Sequence, residues 1–61
     1  MKLSEKLTQL RRQSGMTQDE LAAKLFVTRT AVSKWENDKG YPGIDSLKLL
    51  SQVYGVSIDD L

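Results

Sequence analysis

Two short helical patterns with a very short junction between them place the strongest constraint on the fold of this chain. The first pattern covers residues 17–25 and the second covers residues 28–37, so only two residues separate them. Thr17 stands at the start of the first pattern, where a hydroxyl caps a helix, and Glu20 three residues later completes a capping box. Thr28 opens the second pattern with a cap but no box. The sequence therefore predicts two helices joined by a sharp turn.

The second helix is predicted to have one apolar face and one polar, cationic face. At about 100° per residue, its polar side chains fall within an arc of roughly 140°. Ala31, Val32 and Trp35 lie on the opposite side and are expected to be buried, so Trp35 is interpreted as a core residue and not a base-stacking one. Any surface helix has a polar face, but such faces usually mix charge signs, and this arc contains no aspartate or glutamate. Donors for base edges and positive charge for phosphates favour a helix that enters the major groove of DNA. The arc contains Arg29, Thr30, Ser33, Lys34 and Asn37.

The charge of the chain is weak in total but strongly segregated. The net charge is +1, and 61 residues are enough for one small domain. Residues 1–34 carry seven Lys or Arg and three acids, whereas residues 35–61 carry two and five. A polarised charge distribution suits an oriented contact with DNA better than general binding of polyanions.

The composition argues against several classes of protein. The chain has no cysteine and no histidine, so neither a disulfide framework nor a His/Cys metal site is expected, and we expect no cofactor. No apolar run approaches the ~20 residues of a membrane span, and no signal-peptide segment is present. Absence of cysteine fits a reducing, cytoplasmic location. The four glycines are scattered, so no phosphate-cradling loop is formed and an enzyme is not expected.

Two more helices are predicted to flank the central pair. Residues 3–14 form an amphipathic helix that ends at Gly15, and a fourth helix ends at Gly55. Leu49 and Val53 widen the apolar arc of the fourth helix to roughly 220°, which predicts either deep burial or contact with a partner. We favour the partner and take these two residues as the candidate dimer face. The residues expected to pack on the core are Ile44, Leu47, Leu50, Ser51 and Tyr54.

Phe26 and the C-terminal residues give two further expectations. Phe26 stands where the turn favours glycine, and a positive φ there would cost an aromatic residue roughly 1 kcal/mol or more, so we expect Phe26 to recover this by packing. Ser57 with Asp60 predicts a second capping box, which opens a helix of which only residues 58–61 are present. One interpretation is that the chain is the N-terminal part of a longer protein.

Six segments of the chain match the signatures of one family in register. They are Gly15–Gln18, Leu21–Ala22, Val27–Arg29, Val32–Asn37, Tyr41–Pro42 and Gly55–Leu61. With these segments the chain resembles the lambda-repressor-like helix-turn-helix family, of the Cro/CI or xenobiotic-response-element type, over almost its whole length. The resemblance implies an all-α, compact five-helix bundle with the helix-turn-helix at helices 2 and 3. It also implies a two-fold dimer on double-stranded DNA, usually acting as a bacterial or phage transcriptional repressor.

The resemblance also implies roles for individual residues. The positions that read bases or face the groove are Arg29, Thr30, Ser33 and Lys34. The positions that contact phosphates are Gln18, Thr28 and Asn37, with Lys39 in the following loop. Arg11 and Glu36 match a structural ion pair between the first and third helices, which fits the place of Glu36 at the border of the buried face. Asp38 departs from the family pattern and adds negative charge near the expected phosphate path, and Lys39 can also be interpreted as a solvated charge.

Two functions from different classes are compatible with these features. The first is a sequence-specific transcriptional regulator that binds a palindromic operator as a homodimer, with no small-molecule ligand in this domain. The alternative is a helical protein-interaction adaptor or antitoxin-like module in which the face of Leu49 and Val53 makes the contact and DNA binding is secondary. Charge reversal at Arg29 and Lys34 would abolish the first function and leave the second intact.

Overall fold

The chain folds into four α-helices followed by one turn of 3₁₀-helix in the computed structural model, which describes residues 2–61. The α-helices are α1 Leu3–Gln13, α2 Gln18–Leu25, α3 Arg29–Glu36 and α4 Ile44–Tyr54. The all-α class and the helix-turn-helix at the second and third helices are confirmed. Where the resemblance implies a fifth helix, the structure has a 3₁₀-helix of three residues, Ile58–Asp60.

The hydrogen bonds of the last residues explain why the final element is a 3₁₀-helix. The amide of Asp60 donates to the carbonyl of Ser57, and the amide of Leu61 donates to the carbonyl of Ile58. Both bonds close over three residues, which is the 3₁₀ pattern. The Ser57 side chain makes no cap bond, so the capping box expected between Ser57 and Asp60 is not formed.

Each α-helix is followed by a residue in the left-handed conformation, which lets the next amide reach back to the helix. After α2, the amides of Phe26 and Val27 donate to the carbonyls of Ala23 and Ala22, as in a Schellman motif. The chain therefore leaves α2 sharply, and only three residues separate α2 from α3. The left-handed residues are Gly15 at φ 75°, Phe26 at 58°, Asp38 at 61° and Gly55 at 65°.

The core lies where α2 and α3 meet α1 and α4. Val32 and Trp35, on the apolar side of α3, are 1% and 8% exposed, so the prediction that Trp35 is a core residue is confirmed. Because one side of α3 is held in this core, its polar side is fixed in direction and faces outward. The buried residues of the hydrophobic core cluster are Leu7, Leu21, Ala22, Leu25, Val32, Trp35 and Leu50.

The structure contradicts two of the packing predictions. Phe26 has the expected positive φ, but its side chain is 86% exposed, so it does not recover the backbone strain by packing. Ile44, expected to pack on the core, is 60% exposed at the first turn of α4. Leu50 is fully buried, so α4 turns the middle of its wide apolar arc to the core and leaves Ile44 at the edge.

In residues 2–61 no helix has the length and apolar character to cross a membrane.

Candidate nucleic-acid interface

A shallow groove runs along the outer side of α3 and collects most of the residues predicted to contact DNA. All four predicted base-reading residues line it, together with three of the four predicted phosphate contacts. Three of the lining residues are cations and none is an acid, so the groove is electropositive. Thr28 is the predicted contact that does not line it. The lining residues of this α3 groove are Gln18, Arg29, Thr30, Ser33, Lys34, Asn37 and Lys39.

The N-terminal end of α3 combines a cap with a cation. The Thr28 hydroxyl accepts a hydrogen bond from the amide of Ala31 at 3.2 Å, which holds the first turn without using the hydroxyl as a donor. Arg29 follows as the first helical residue and extends into solvent, with its side chain 66% exposed. Its Nη1 lies 3.9 Å from Oδ2 of Asp19 in α2. The guanidinium therefore reaches both the α3 groove and the first turn of α2.

An ion pair at the other end of α3 ties this helix to α1. Arg11 Nε donates to Glu36 Oε2 at 2.7 Å, and Arg11 Nη2 donates to Glu36 Oε1 at 3.0 Å. The two side chains are 15% and 5% exposed, and Arg11 Nη1 also donates to the Met16 carbonyl at 3.1 Å. This bidentate geometry satisfies both charges where they are largely removed from water. The ion pair expected between Arg11 and Glu36 is thus present in the structure.

The pKa values of the two partners follow from this arrangement. Burial alone would raise the pKa of Glu36, but hydrogen bonds from Arg11 and Gln18 outweigh it, and the pKa is lowered. The hydrogen bond to Glu36 raises the pKa of Arg11. Both groups are therefore charged at neutral pH, and the pair links α1 and α3 under those conditions.

Gln18 connects the ion pair to the α3 groove. Its Nε2 donates to Glu36 Oε1 at 3.1 Å, so the Glu36 carboxylate bridges α1 and α2 from its place on α3. Gln18 also lines the α3 groove at the first residue of α2. The bond to Glu36 restricts the rotamers of this side chain, and this fixes the position of its remaining polar atoms relative to α3.

Asn37 is occupied within its own helix. Its Nδ2 donates to the Ser33 carbonyl at 2.8 Å and to the Ser33 hydroxyl at 3.3 Å, while its backbone amide also donates to the Ser33 carbonyl. A phosphate needs donors, and all the donor groups of Asn37 have partners at the end of α3. The geometry therefore gives Asn37 a capping role, which the helical wheel could not reveal.

The loop after α3 carries a second pair of opposite charges. Asp38 adopts the left-handed conformation at φ 61°, as expected for an aspartate at this position. Lys2 Nζ lies 3.4 Å from Asp38 Oδ2, and both side chains are substantially exposed. Lys2 therefore offsets the negative charge that Asp38 adds next to Lys39.

The candidate dimer face on α4 is partly covered by the domain itself. Leu49 and Val53 are both half-buried and pack against the core. Only the outer part of each side chain is available to a partner.

Among residues 2–61, no cluster of acidic side chains could hold a metal ion.

Comparison with known proteins identifies the family. A family model described as helix-turn-helix matches residues 7–61, which is most of the chain. The chain belongs to the helix-turn-helix family. The family resemblance predicted from the six sequence segments is confirmed.

A curated helix-turn-helix relative is similar over the full length of this chain. The HTH-type transcriptional activator BcrR of Enterococcus faecalis is 52% identical over 61 residues, which are 100% of this chain and 30% of BcrR. The chain spans about a third to a half of the length of the first curated relatives it matches.

Two solved helix-turn-helix structures bound to DNA have the same fold. The P22 c2 repressor in complex with a synthetic operator superposes with a TM-score of 0.91 at 25% identity, covering 97% of this chain and 89% of that one. The biofilm regulator SinR in complex with DNA gives 0.85 at 29% identity, covering 95% and 94%. These likenesses apply to the domain as a whole.

Two residues at the edges of the helix-turn-helix were not singled out from the sequence. Asp19 contacts Arg29 across the gap between α2 and α3, and Lys2 contacts Asp38 across 36 residues of chain. Alternation of charge sign along the chain does not reveal either pair, because both depend on the angle between helices. Asp19 lies in the first turn of α2, which the structure places beside the first turn of α3.

Proposed function

We propose that this chain is the sequence-specific DNA-binding domain of a transcriptional regulator, with α3 as the recognition helix in the major groove. The observation that carries this function is the composition of the α3 groove, where seven predicted contact residues meet, three of them cations and none acidic. Base edges require donors and acceptors on a rigid helix, and phosphates require positive charge at its borders. The core packing of Val32 and Trp35 supplies the rigidity.

In this proposal the polar side of α3 reads the bases. Arg29 and Lys34 donate to the edges of guanine or to phosphates, while Thr30 and Ser33 contact either base type. Gln18, Thr28 and Lys39 contact phosphates at the borders. For Asn37 we propose a supporting role instead of the phosphate contact implied by the resemblance, because its donors are bound to Ser33.

The assembly and the parent protein are also part of the proposal. We propose a homodimer on a palindromic operator, with half-sites about one helical turn, or roughly 34 Å, apart. The candidate dimer face remains Leu49 and Val53, and the 3₁₀ turn after α4 is proposed as the start of the fifth helix.

Because the chain matches only part of its relatives, we propose that it is the N-terminal part of a longer regulator in the bacterial cytoplasm. The expected sign of regulation is repression, and the similarity to the activator BcrR favours activation as a second candidate.

The first experiment is selection of binding sites from random duplex DNA, followed by titration of the enriched duplex and of random duplex at several salt concentrations. We expect an enriched palindrome that binds at least 10³-fold more tightly than random duplex, with affinity that falls steeply with salt. No enrichment, by the wild-type domain or by the domain fused to a dimerising helix, would contradict the proposed function.

Single substitutions then test the residues of the α3 groove. Arg29→Ala and Lys34→Ala are each expected to weaken operator binding by about 1–3 kcal/mol and to reduce the ratio of operator to random affinity. Lys48→Ala is the matched control, because Lys48 is an exposed cation on α4 outside the groove. A ratio left unchanged by Arg29→Ala and Lys34→Ala would remove both residues from base reading.

A protein-interaction adaptor is the second candidate, and the exposed apolar side chains favour it. Phe26 and Ile44 are 86% and 60% exposed, outside the α3 groove. SinR, a structural neighbour, has also been solved in complex with the protein SinI. Charge reversal with Arg29→Glu and Lys34→Glu separates the two functions: it abolishes regulation by a DNA-binding protein and leaves an adaptor active.

A test of the dimer face uses charge at α4. Leu49→Glu or Val53→Glu is expected to shift the domain toward monomer in sedimentation equilibrium, because a carboxylate at a subunit contact would be desolvated. Urea denaturation of each variant establishes that it is folded, since both residues also pack on the core. Unchanged assembly of a folded variant would place the interface elsewhere.

A further inference from the structure

Asp19 forms an ion pair with a residue of the α3 groove. Its Oδ2 lies 3.9 Å from Arg29 Nη1, and the two side chains are 71% and 66% exposed. Among residues 2–61, it is the one carboxylate that reaches ion-pairing distance of a cation lining the groove. The electropositive groove thus has a negative charge at the Arg29 border.

Arg29 stands between two surfaces. It lines the α3 groove and also a neighbouring shallow groove, in which Asp19 lies. The long side chain can therefore place its guanidinium over either groove. Because an exposed ion pair is weak in water, neither position holds Arg29 permanently, and a ligand can shift the balance.

We propose that Asp19 is a specificity-determining residue that competes with DNA for Arg29. This role rests on the proposed function, and it concerns the difference between cognate and random DNA. On a cognate site, Arg29 makes two directed hydrogen bonds to a guanine edge, which a single exposed carboxylate cannot match. On random DNA, Arg29 finds only a phosphate, and it can stay with Asp19 because the carboxylate offers an equivalent anion. The operator contact must break the ion pair, whereas random binding need not, so Asp19 weakens operator binding more than random binding.

The test compares Asp19→Asn with Asp38→Asn in the titrations of operator and random duplex. The two substitutions make the same chemical change at opposite borders of α3, and asparagine tolerates the left-handed conformation at residue 38. Asp38 pairs with Lys2 at 3.4 Å and not with a cation of the α3 groove, so it is the matched control. Circular dichroism and urea denaturation establish that each variant is folded at the assay temperature.

For Asp19→Asn we expect operator affinity to rise by about threefold, the range of an exposed ion pair, with a smaller rise in random affinity. The ratio of operator to random affinity therefore rises. Asp38→Asn is expected to change both affinities equally and to leave the ratio unchanged. In a background that carries Arg29→Ala, Asp19→Asn is expected to have no effect on the ratio, because its competitor is absent.

Two outcomes would overturn the role of Asp19 alone. The first is an unchanged or lower ratio for Asp19→Asn while Arg29→Ala still weakens operator binding. The second is a rise in the ratio that persists in the Arg29→Ala background, which would mean that Asp19 acts independently of Arg29. A wild-type domain that binds neither duplex would overturn the proposed function, and the role of Asp19 with it.

Discussion

The two helices of the helix-turn-helix are equal in length but are stabilised in opposite ways. Both α2 and α3 have eight residues and a threonine N-cap. In α2 the Thr17 hydroxyl accepts from the Glu20 amide, and the Glu20 carboxylate accepts from the Thr17 amide, so the capping box is complete. In α3, Thr28 makes the single cap bond. Local interactions therefore support α2 more strongly than α3.

The charges of the first turns show the same contrast. The first turn of α2 carries Asp19 and Glu20, which complement the positive end of the helix dipole. The first turn of α3 carries no acid and begins with Arg29, a cation at the unfavourable end. Such a charge costs roughly 0.3–1 kcal/mol at an exposed helix terminus. Helix stability does not account for a cation there, whereas the proposed contact with DNA does.

What α3 lacks locally is supplied by the rest of the domain. Val32 and Trp35 bury its inner side, and the Glu36 carboxylate joins it to Arg11 and Gln18 on two other helices. α2 is therefore a locally stable support, whereas α3 can keep a polar, cationic surface because tertiary contacts hold it in place. Breaking those contacts should therefore have the largest effect.

The largest expected effect is that of Glu36→Ala. This change leaves Arg11 in a largely buried place without its partner and should reduce the free energy of unfolding by about 3 kcal/mol. A domain of this length has roughly 3–9 kcal/mol in total, so this loss is between about a third and all of its stability. Urea denaturation followed by tryptophan fluorescence measures the change. Glu5→Ala is the control, since Glu5 is an exposed acid on α1, and an equal loss in both variants would show that Glu36 does not join the helices.

Acid should weaken the domain through the same residue. The pKa of Glu36 is lowered in the folded state from an ordinary value of 4.5, because the hydrogen bonds from Arg11 and Gln18 outweigh the opposing effect of burial. Its contribution is therefore complete above about pH 4.5 and is lost as the pH falls through the lower, folded value. Urea midpoints measured from pH 7 downward should fall in this window for the wild type and fall less for Glu36→Gln. A parallel decline in both proteins would assign the acid sensitivity to other carboxylates.

Local signals in the sequence were sufficient to predict the four α-helices, but not the 3₁₀ turn that follows them. The caps at Thr17 and Thr28 and the periodic apolar positions depend on residues within one or two turns, so the two central helices and the burial of Trp35 follow from the sequence. The exposure of Phe26 did not follow. Backbone strain predicted a compensating contact, but the position of the α2–α3 turn at the surface leaves nothing for the ring to pack against.

The side-chain network of the candidate site depended on the arrangement of the helices. The ion pair of Arg11 with Glu36 was available only through the family resemblance. The bond from Gln18 to Glu36 and the contact of Asp19 with Arg29 join residues on different helices, and their distances are set by interhelical packing. A helical wheel orders side chains on one helix and contains no information about the neighbouring one.

A matched pair of cap substitutions tests the contrast between α2 and α3 directly. Thr28→Ala removes the single cap bond of α3 and should cost about 1–2 kcal/mol, whereas Thr17→Ala leaves the Glu20 carboxylate bond and two acids in place and should cost about 0.5–1 kcal/mol. Thermal unfolding by circular dichroism should resolve this difference as several degrees in Tm for a domain of this size. Equal losses, or a larger loss for Thr17→Ala, would reject the view that α2 has the more robust start.

The smallest expected effect has the opposite sign and concerns the turn between the two helices. Phe26 holds a left-handed φ of 58° with its ring 86% exposed. Phe26→Gly removes a backbone strain of roughly 1–2 kcal/mol from the folded state. Glycine also has more conformational freedom in the unfolded state, which opposes folding by roughly 0.5–1 kcal/mol. A net stabilisation of about 0.5–1 kcal/mol is therefore expected in urea denaturation.

Phe26→Ala separates the ring from the backbone at this turn. It keeps the Cβ strain and removes only the exposed ring, so stability close to the wild type is expected. Destabilisation by Phe26→Ala would mean that the ring contributes packing, and the absence of a gain from Phe26→Gly would mean that the strain is already compensated. If glycine stabilises the domain while operator binding is unchanged, Phe26 is retained neither for the fold nor for DNA recognition. Its exposed ring then serves an activity other than folding or DNA recognition, and a binding assay with another protein is the direct test.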